Sequence, residues 1–108
     1  MATIEINESG LGQRLELGVG DTLVVRLAEN PTTGVRWQLS IERGGPLAPA
    51  GDRFDHGTAP HAPGMAGHRV LTFAARHPGA STLSFVQRRL PEPPTGPVHQ
   101  LTVLVRAG

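Results

Sequence analysis

Five histidines, His56, His61, His68, His77 and His99, are the side chains best suited to binding a metal or moving a proton at neutral pH. Most stand in glycine- and proline-rich or turn contexts. His56 and His61 are five residues apart, and His61 and His68 seven apart. Neither interval is a metal-ligand signature, and the histidines read as solvated loop residues. The 108 residues include no cysteine, which excludes a thiolate metal site, a cysteine nucleophile and any disulfide. Ser9, Ser40, Ser81 and Ser84 lie in strand or turn contexts with no elbow motif and no adjacent base. Asp52 and Asp55 flank Arg53-Phe54 and are expected on one face of a short strand, as solvated charges. Gly18-Val19-Gly20 precedes a strand-like run, so it lacks the helix N-terminus that a phosphate cradle needs. No catalytic constellation emerges. The expectation is a protein that is not an enzyme and uses neither metal nor cofactor.

The residues that stand out instead belong to one stiff segment, Asn30-Pro31-Thr32-Thr33-Gly34, with Trp37 just beyond it. Pro31 fixes its own φ and pushes Asn30 towards extended geometry. Gly34 tolerates a positive φ. Two threonines between these stops offer hydroxyl and methyl groups to a partner. Such a segment has little conformational entropy left to lose, which favours binding over chemistry. The plainer alternative is an ordinary turn between strands. A second rigid stretch, Arg89-Leu90-Pro91-Glu92-Pro93-Pro94-Thr95-Gly96-Pro97, has four prolines in nine residues. It reads as a stiff inter-strand loop in preference to a polyproline ligand.

Strands hold these segments in place. Alternation with period two recurs along the chain, and helical periodicity does not. Short strands are expected at Thr3 to Ile6, at Arg14 to Leu17, at Thr22 to Ala28 and at Val35 to Ile41, where Val35, Trp37, Leu39 and Ile41 form one face. Three more are expected at His68 to Ala75, Ser81 to Arg89 and Val98 to Arg106. Residues 44–67 are rich in Gly, Pro, Ala and His and read as a long connection holding one short edge strand, Arg53-Phe54-Asp55. Seven to eight strands with frequent turn signals point to an all-β fold, an immunoglobulin-like antiparallel β-sandwich. Trp37 is placed in its core. With no repeat and no dividing linker, residues 1–108 are expected to form a single domain.

Formal net charge is +1, and all ten basic residues are arginine. Arginine without lysine, with 14 Gly and 10 Pro, suggests a high-GC bacterial genome. The arginines are scattered apart from Arg88-Arg89, and no basic stripe is interleaved with aromatics, so no nucleic-acid partner is expected. No apolar run approaches a membrane span, and the N-terminus Met1-Ala2-Thr3-Ile4-Glu5-Ile6 has no signal-peptide pattern. Localisation stays open between a cytoplasmic protein and the mature part of an exported one. The default oligomeric state is a monomer.

The same motifs resemble the chagasin family of cysteine-protease inhibitors, the I42 type. Asn30-Pro31-Thr32-Thr33-Gly34 followed by Trp37 is similar to that family's Asn-Pro-Thr-Thr-Gly-x-x-Trp signature. Gly64-Met65-Ala66-Gly67 sits where the family has a glycine-rich loop, ahead of a strand ending Thr72-Phe73-Ala74-Ala75. Gly79 leads into a Leu-x-Phe strand, and Arg89 matches the arginine of an Arg-Pro-Trp motif. Here that motif reads Arg89-Leu90-Pro91, without the aromatic. The resemblance implies three loops at one end of a sandwich, entering the cleft of a papain-like cysteine protease. It places Thr32 and Thr33 over the catalytic cysteine and histidine, with Pro31 and Gly34 setting the loop shape. Gly64, Met65, Ala66 and Gly67 would lie on one side, and Arg89, Leu90 and Pro91 on the other. The alternative is an interaction module of the same fold whose inhibitory activity has been lost or redirected.

Overall fold

The computed structural model describes residues 2–29, 35–42, 44–55, 67–89 and 97–107. Eight strands are found there: β1 (Thr3–Ile6), β2 (Arg14–Gly18), β3 (Thr22–Glu29), β4 (Val35–Ser40), β5 (Leu47–Asp55), β6 (Gly67–Ala75), β7 (Gly79–Arg89) and β8 (His99–Arg106). A single 3₁₀ turn, Glu8–Gly10, follows β1. The strands form two four-stranded sheets, ordered β1-β3-β6-β5 and β2-β8-β7-β4. No helix among the described residues is long and apolar enough to cross a membrane.

The period-two pattern explains how the sheets face one another. In β3 the buried positions are Leu23, Val25, Leu27 and Glu29, alternating with more exposed residues. In β8 they are Leu101, Val103 and Val105, and in β7 Ser81, Leu83 and Phe85. These inward faces, with Leu17, Trp37, Leu47, Leu71, Phe73 and Ala75, make one apolar core between the sheets. Phe73 and Phe85 are fully enclosed, one from each sheet. Burying one such ring stabilises by about 1.5–3 kcal/mol, which makes the facing layers the main cohesive element.

Two expectations from the sequence need correction. The sandwich is not wholly antiparallel. β1 runs parallel to β3, with Thr3 opposite Thr22, and β2 runs parallel to β8, with Leu15 opposite Val103. A parallel neighbour cannot be joined by a tight turn. Here the chain leaves β1 for the other sheet, forms β2, and returns as β3, so both strands sit on sheet edges beside partners that are not their chain neighbours. The second correction concerns the supposed long connection. β5 spans nine residues, Leu47–Asp55, and pairs with β6 over its whole length. Its register shifts between Pro49 and Gly51. Pro49 has no N–H to donate, and an edge strand with a bulge is where a sheet tolerates that.

Candidate functional site

The residues singled out in the sequence divide sharply. Asn30, Pro31, Thr32, Thr33, Gly34, Gly64, Met65, Ala66, Leu90 and Pro91 lie outside the described residues. Gly67 and Arg89 lie within them, and so do the strand ends that carry all three segments. Those ends are adjacent. Residues 30–34 begin after Glu29, which is opposite Gly67, the residue at which segment 56–66 re-enters the sheet. Residues 30–34 end at Val35, which is opposite Arg89, the residue from which segment 90–96 departs. Asp55, where segment 56–66 leaves, is opposite His68. One end of the sandwich thus carries the strand ends that flank all three segments, with Glu29 beside Gly67 and Val35 beside Arg89.

The base of this end is held by side chains. β1 stops at Ile6, opposite Val25, so β3 runs on without a neighbour on that side. The Ala28 N–H donates to Glu8 Oε1 at 2.6 Å, and the Ala28 carbonyl accepts from Trp37 Nε1–H at 2.9 Å. The Trp37 backbone N–H, on edge strand β4, donates to Glu29 Oε2 at 2.9 Å. Trp37 is only 7% exposed, and its ring lies 5.7 Å from that of His99 at the start of β8. The indole therefore packs where the strands bearing 30–34 and 90–96 meet.

Glu29 is a buried carboxylate on the inward face of β3, where the pattern Leu23, Val25, Leu27 asks for an apolar residue. Its other oxygen accepts from Arg69 Nη1 at 3.3 Å. Arg69 in turn holds Asp52 on β5 through two bonds, Nε at 2.6 Å and Nη2 at 3.0 Å. The Asp52 carboxylate beside it raises the Arg69 pKa above its ordinary value. Asp55 points to the other face and pairs with Arg26 at 2.9 Å. Asp52 and Asp55 thus do not share a face, because residues three apart alternate sides in a strand. Both ion pairs tie edge strand β5 inward at the point where segment 56–66 leaves.

Gly67 is buried under β5. A Cβ there would stand 2.5 Å from the Asp55 carbonyl and 2.6 Å from the Phe54 ring, so only glycine permits this close approach. Arg89 is exposed at the end of β7, next to the cross-strand pair Arg36–Arg88. Beside the base, between edge strands β4 and β5, lies a cleft of about 480 Å³ lined by Trp37, Leu39, Leu71 and Phe73, with Arg69 and Asp52 on its rim.

Of the five histidines, three lie within the described residues. His56 and His61 lie outside the described residues, while His68 and His77 are exposed. Among the described residues no group of three or more His, Cys, Asp or Glu side chains is placed to hold a metal.

Comparison with known proteins follows the same lines. The family model described as Chagasin family peptidase inhibitor I42 matches residues 16–105. A cysteine protease inhibitor from Entamoeba histolytica, EhICP2, has a crystal structure that superposes with a TM-score of 0.86 at 19% identity, covering 98% of this chain and 97% of that one. The solution structure of Amebosin superposes with a TM-score of 0.77 at 23% identity, covering 95% and 97%. PbICP-C, solved in complex with falcipain-2, gives 0.57 at 18% identity over 100% of both chains. These likenesses establish the shared sandwich. A comparison with curated protein sequences gives no significant match.

Proposed function

Because the chain belongs to the chagasin family of I42 peptidase inhibitors, we propose that it inhibits papain-like cysteine proteases reversibly, by filling the active-site cleft with segments from one end of the sandwich. The observation that carries this is the adjacency of three strand-end pairs: Glu29 opposite Gly67, Val35 opposite Arg89, and Asp55 opposite His68. A rigid sheet scaffold whose neighbouring strand ends carry proline-containing connections suits a preformed groove. Thr32 and Thr33 are the central contacts, and Pro31 and Gly34 keep Asn30 to Gly34 in one shape. Gly64, Met65 and Ala66 contact one wall of the cleft, and Arg89, Leu90 and Pro91 the other. Gly67 shapes the base beneath them. The interface would bury roughly 1,600 Å² in total. EhICP2 is itself a cysteine protease inhibitor, and PbICP-C was solved bound to falcipain-2; both support this choice of target. The inhibitor acts as a monomer, and the arginine-only cation set fits a bacterial source.

The test is titration of papain and of a cathepsin L-type protease with the purified protein, reading residual cleavage of a fluorogenic peptide. Inhibition with Thr32→Asp/Thr33→Asp should weaken by at least about a hundredfold, because the complex would bury two new carboxylates unpaired. The Tm should barely change. Full inhibition by this variant would remove residues 30–34 from the contact. One feature favours a second reading, a non-inhibitory module of the same fold. Arg89-Leu90-Pro91 lacks the aromatic of the family motif, and aromatic anchors often dominate an interface. Absence of inhibition at micromolar concentration would decide for it.

A further inference from the structure

Glu29 is a costly choice for its position. Its side chain is 4% exposed, on the face that otherwise carries Leu23, Val25 and Leu27. A buried carboxylate needs full compensation, and a well-packed apolar pair usually serves stability as well or better. What the carboxylate provides instead is direction. It links the backbone of β4 in one sheet, at the Trp37 N–H, to Arg69 on β6 in the other. Arg69 extends the link to Asp52 on β5 through a two-pronged bond. Glu29 borders segment 30–34, Gly67 lies two residues before Arg69, and Asp52 lies three before the end of β5. The chain of contacts therefore runs across the strand ends that carry the first two proposed contact segments. It does so on the side where the sandwich is open, along the cleft rimmed by Arg69 and Asp52.

We infer that Glu29, Arg69 and Asp52 form a positioning relay that fixes the bases of segments 30–34 and 56–66 relative to each other, so that both meet the protease together. The inference rests on the inhibitory reading above for its consequence, but not for its existence. None of the three residues need touch the target. Their contribution is to hold Trp37, and with it the entry of β4, at one setting against β5 and β6.

The experiment uses the intact protein in three forms: wild type, Glu29→Gln, and the apolar pair Glu29→Leu/Arg69→Met. Two readouts are taken, the inhibition constant for papain and the hydrogen-exchange rate of the Trp37 backbone amide. Replacing the ion pair should itself cost little, but the Trp37 N–H loses its acceptor, so the apolar pair should stay folded with a Tm lower by several degrees. Its inhibition constant should rise about tenfold or more, the scale of one charge-assisted hydrogen bond. Exchange at Trp37 should quicken by a similar factor. Glu29→Gln keeps an acceptor for Trp37 but loses the ion pair with Arg69, and should fall between. If the apolar pair fails to fold, Glu29→Gln alone decides, with the same two readouts. Unchanged inhibition together with unchanged exchange in folded variants overturns the relay. If the wild type inhibits neither papain nor a cathepsin L-type protease, the inhibitory reading has failed. The exchange rates then still support the relay if they quicken, or overturn it if they do not.

Discussion

The two ends of this sandwich are built by different means. At the end away from the proposed contact surface, main-chain groups bond one another across the turns, with the Asp21 carboxylate added between β2 and β3. The Gly20 N–H donates to the Ala75 carbonyl at 2.9 Å, Val19 to Arg106 at 3.0 Å, and Arg76 to Pro46 at 2.8 Å. Gly20, Gly44 and Gly79 supply positive φ angles there. At the other end main-chain bonds occur too, as from the Gly12 N–H to the Gln100 carbonyl at 2.6 Å, but carboxylates, an indole and a guanidinium join the strands that carry the segments: Glu8 on Ala28, Glu29 on Trp37, Trp37 on Ala28, Arg69 on Glu29 and Asp52. Main-chain joints depend little on side-chain identity. Side-chain joints can be adjusted one substitution at a time. An inhibitor gains from having the second kind beneath its contact segments, where a small displacement changes the fit.

Gly67→Ala should change the most. The added methyl has no room between Phe54 and the Asp55 carbonyl, so the end of β5 must move. Overpacking of this kind costs about 1–3 kcal/mol, to be read from urea unfolding. Inhibition should fall as well, since segment 56–66 departs from that strand end. Gly79→Ala at the opposite end is the control. Its φ of +145° and the Pro46 ring 3.0 Å away make alanine strained there too, but inhibition by the folded protein should stay at the wild-type level. Equal loss of inhibition in both variants would mean that the two ends are not independent.

A smaller effect is expected from Trp37→Phe. The ring still fills much of the core position, while the donor to the Ala28 carbonyl is gone. The missing hydrogen bond should cost about 1 kcal/mol, and the smaller ring adds to it. Far-ultraviolet circular dichroism is the right probe, because the protein has one tryptophan and the variant has none. Inhibition should weaken more than Gly79→Ala weakens it, even where the two variants are equally destabilised.

The same contrast explains what could be read from the sequence. β3, β4, β6, β7 and β8 were legible because apolar residues recur at every second position along most of one face, as in Leu101, Val103 and Val105, even where the other face also carries one, as at Val24, Val70 or Leu104. Of β5 only the end, Arg53-Phe54-Asp55, was legible as an edge strand, because Pro49 and Gly51 mimic a loop and the exposed run hides the pairing that β6 imposes. The parallel partners of β1 and β2 were also hidden, since alternation carries no information about direction. Pro31 and Gly34 marked the first segment by their backbone chemistry. Glu29 could have been found: an acidic residue in register with Leu23, Val25 and Leu27, just before Asn-Pro, contradicts its own pattern. The Arg69–Asp52 bond could not, because it exists only once β5 and β6 are in register.

Asp21→Ala, at the opposite end, should change the least. Asp21 closes the turn between β2 and β3. Its carboxylate accepts from the Gly18 N–H at 2.8 Å and from the Ala2 N–H at 2.9 Å. These bonds favour the ionised form and lower the pKa below the ordinary aspartate value, Gly18 contributing most. A lowered folded-state pKa means that the unfolded chain binds the proton more readily. The resulting stability is complete above the unfolded value of about 4 and is lost as pH falls through the folded value. The wild type should therefore be more stable than Asp21→Ala at pH 7 by a margin that holds down to about pH 5 and narrows below pH 4. Thermal unfolding of both proteins across that range measures it. Inhibition at pH 7 should not differ between them, because this turn belongs to the end that main-chain bonds already hold. A loss of inhibition in Asp21→Ala at unchanged fold would show that strain passes the length of the sandwich, and the division between a fixed end and an adjustable one would fail.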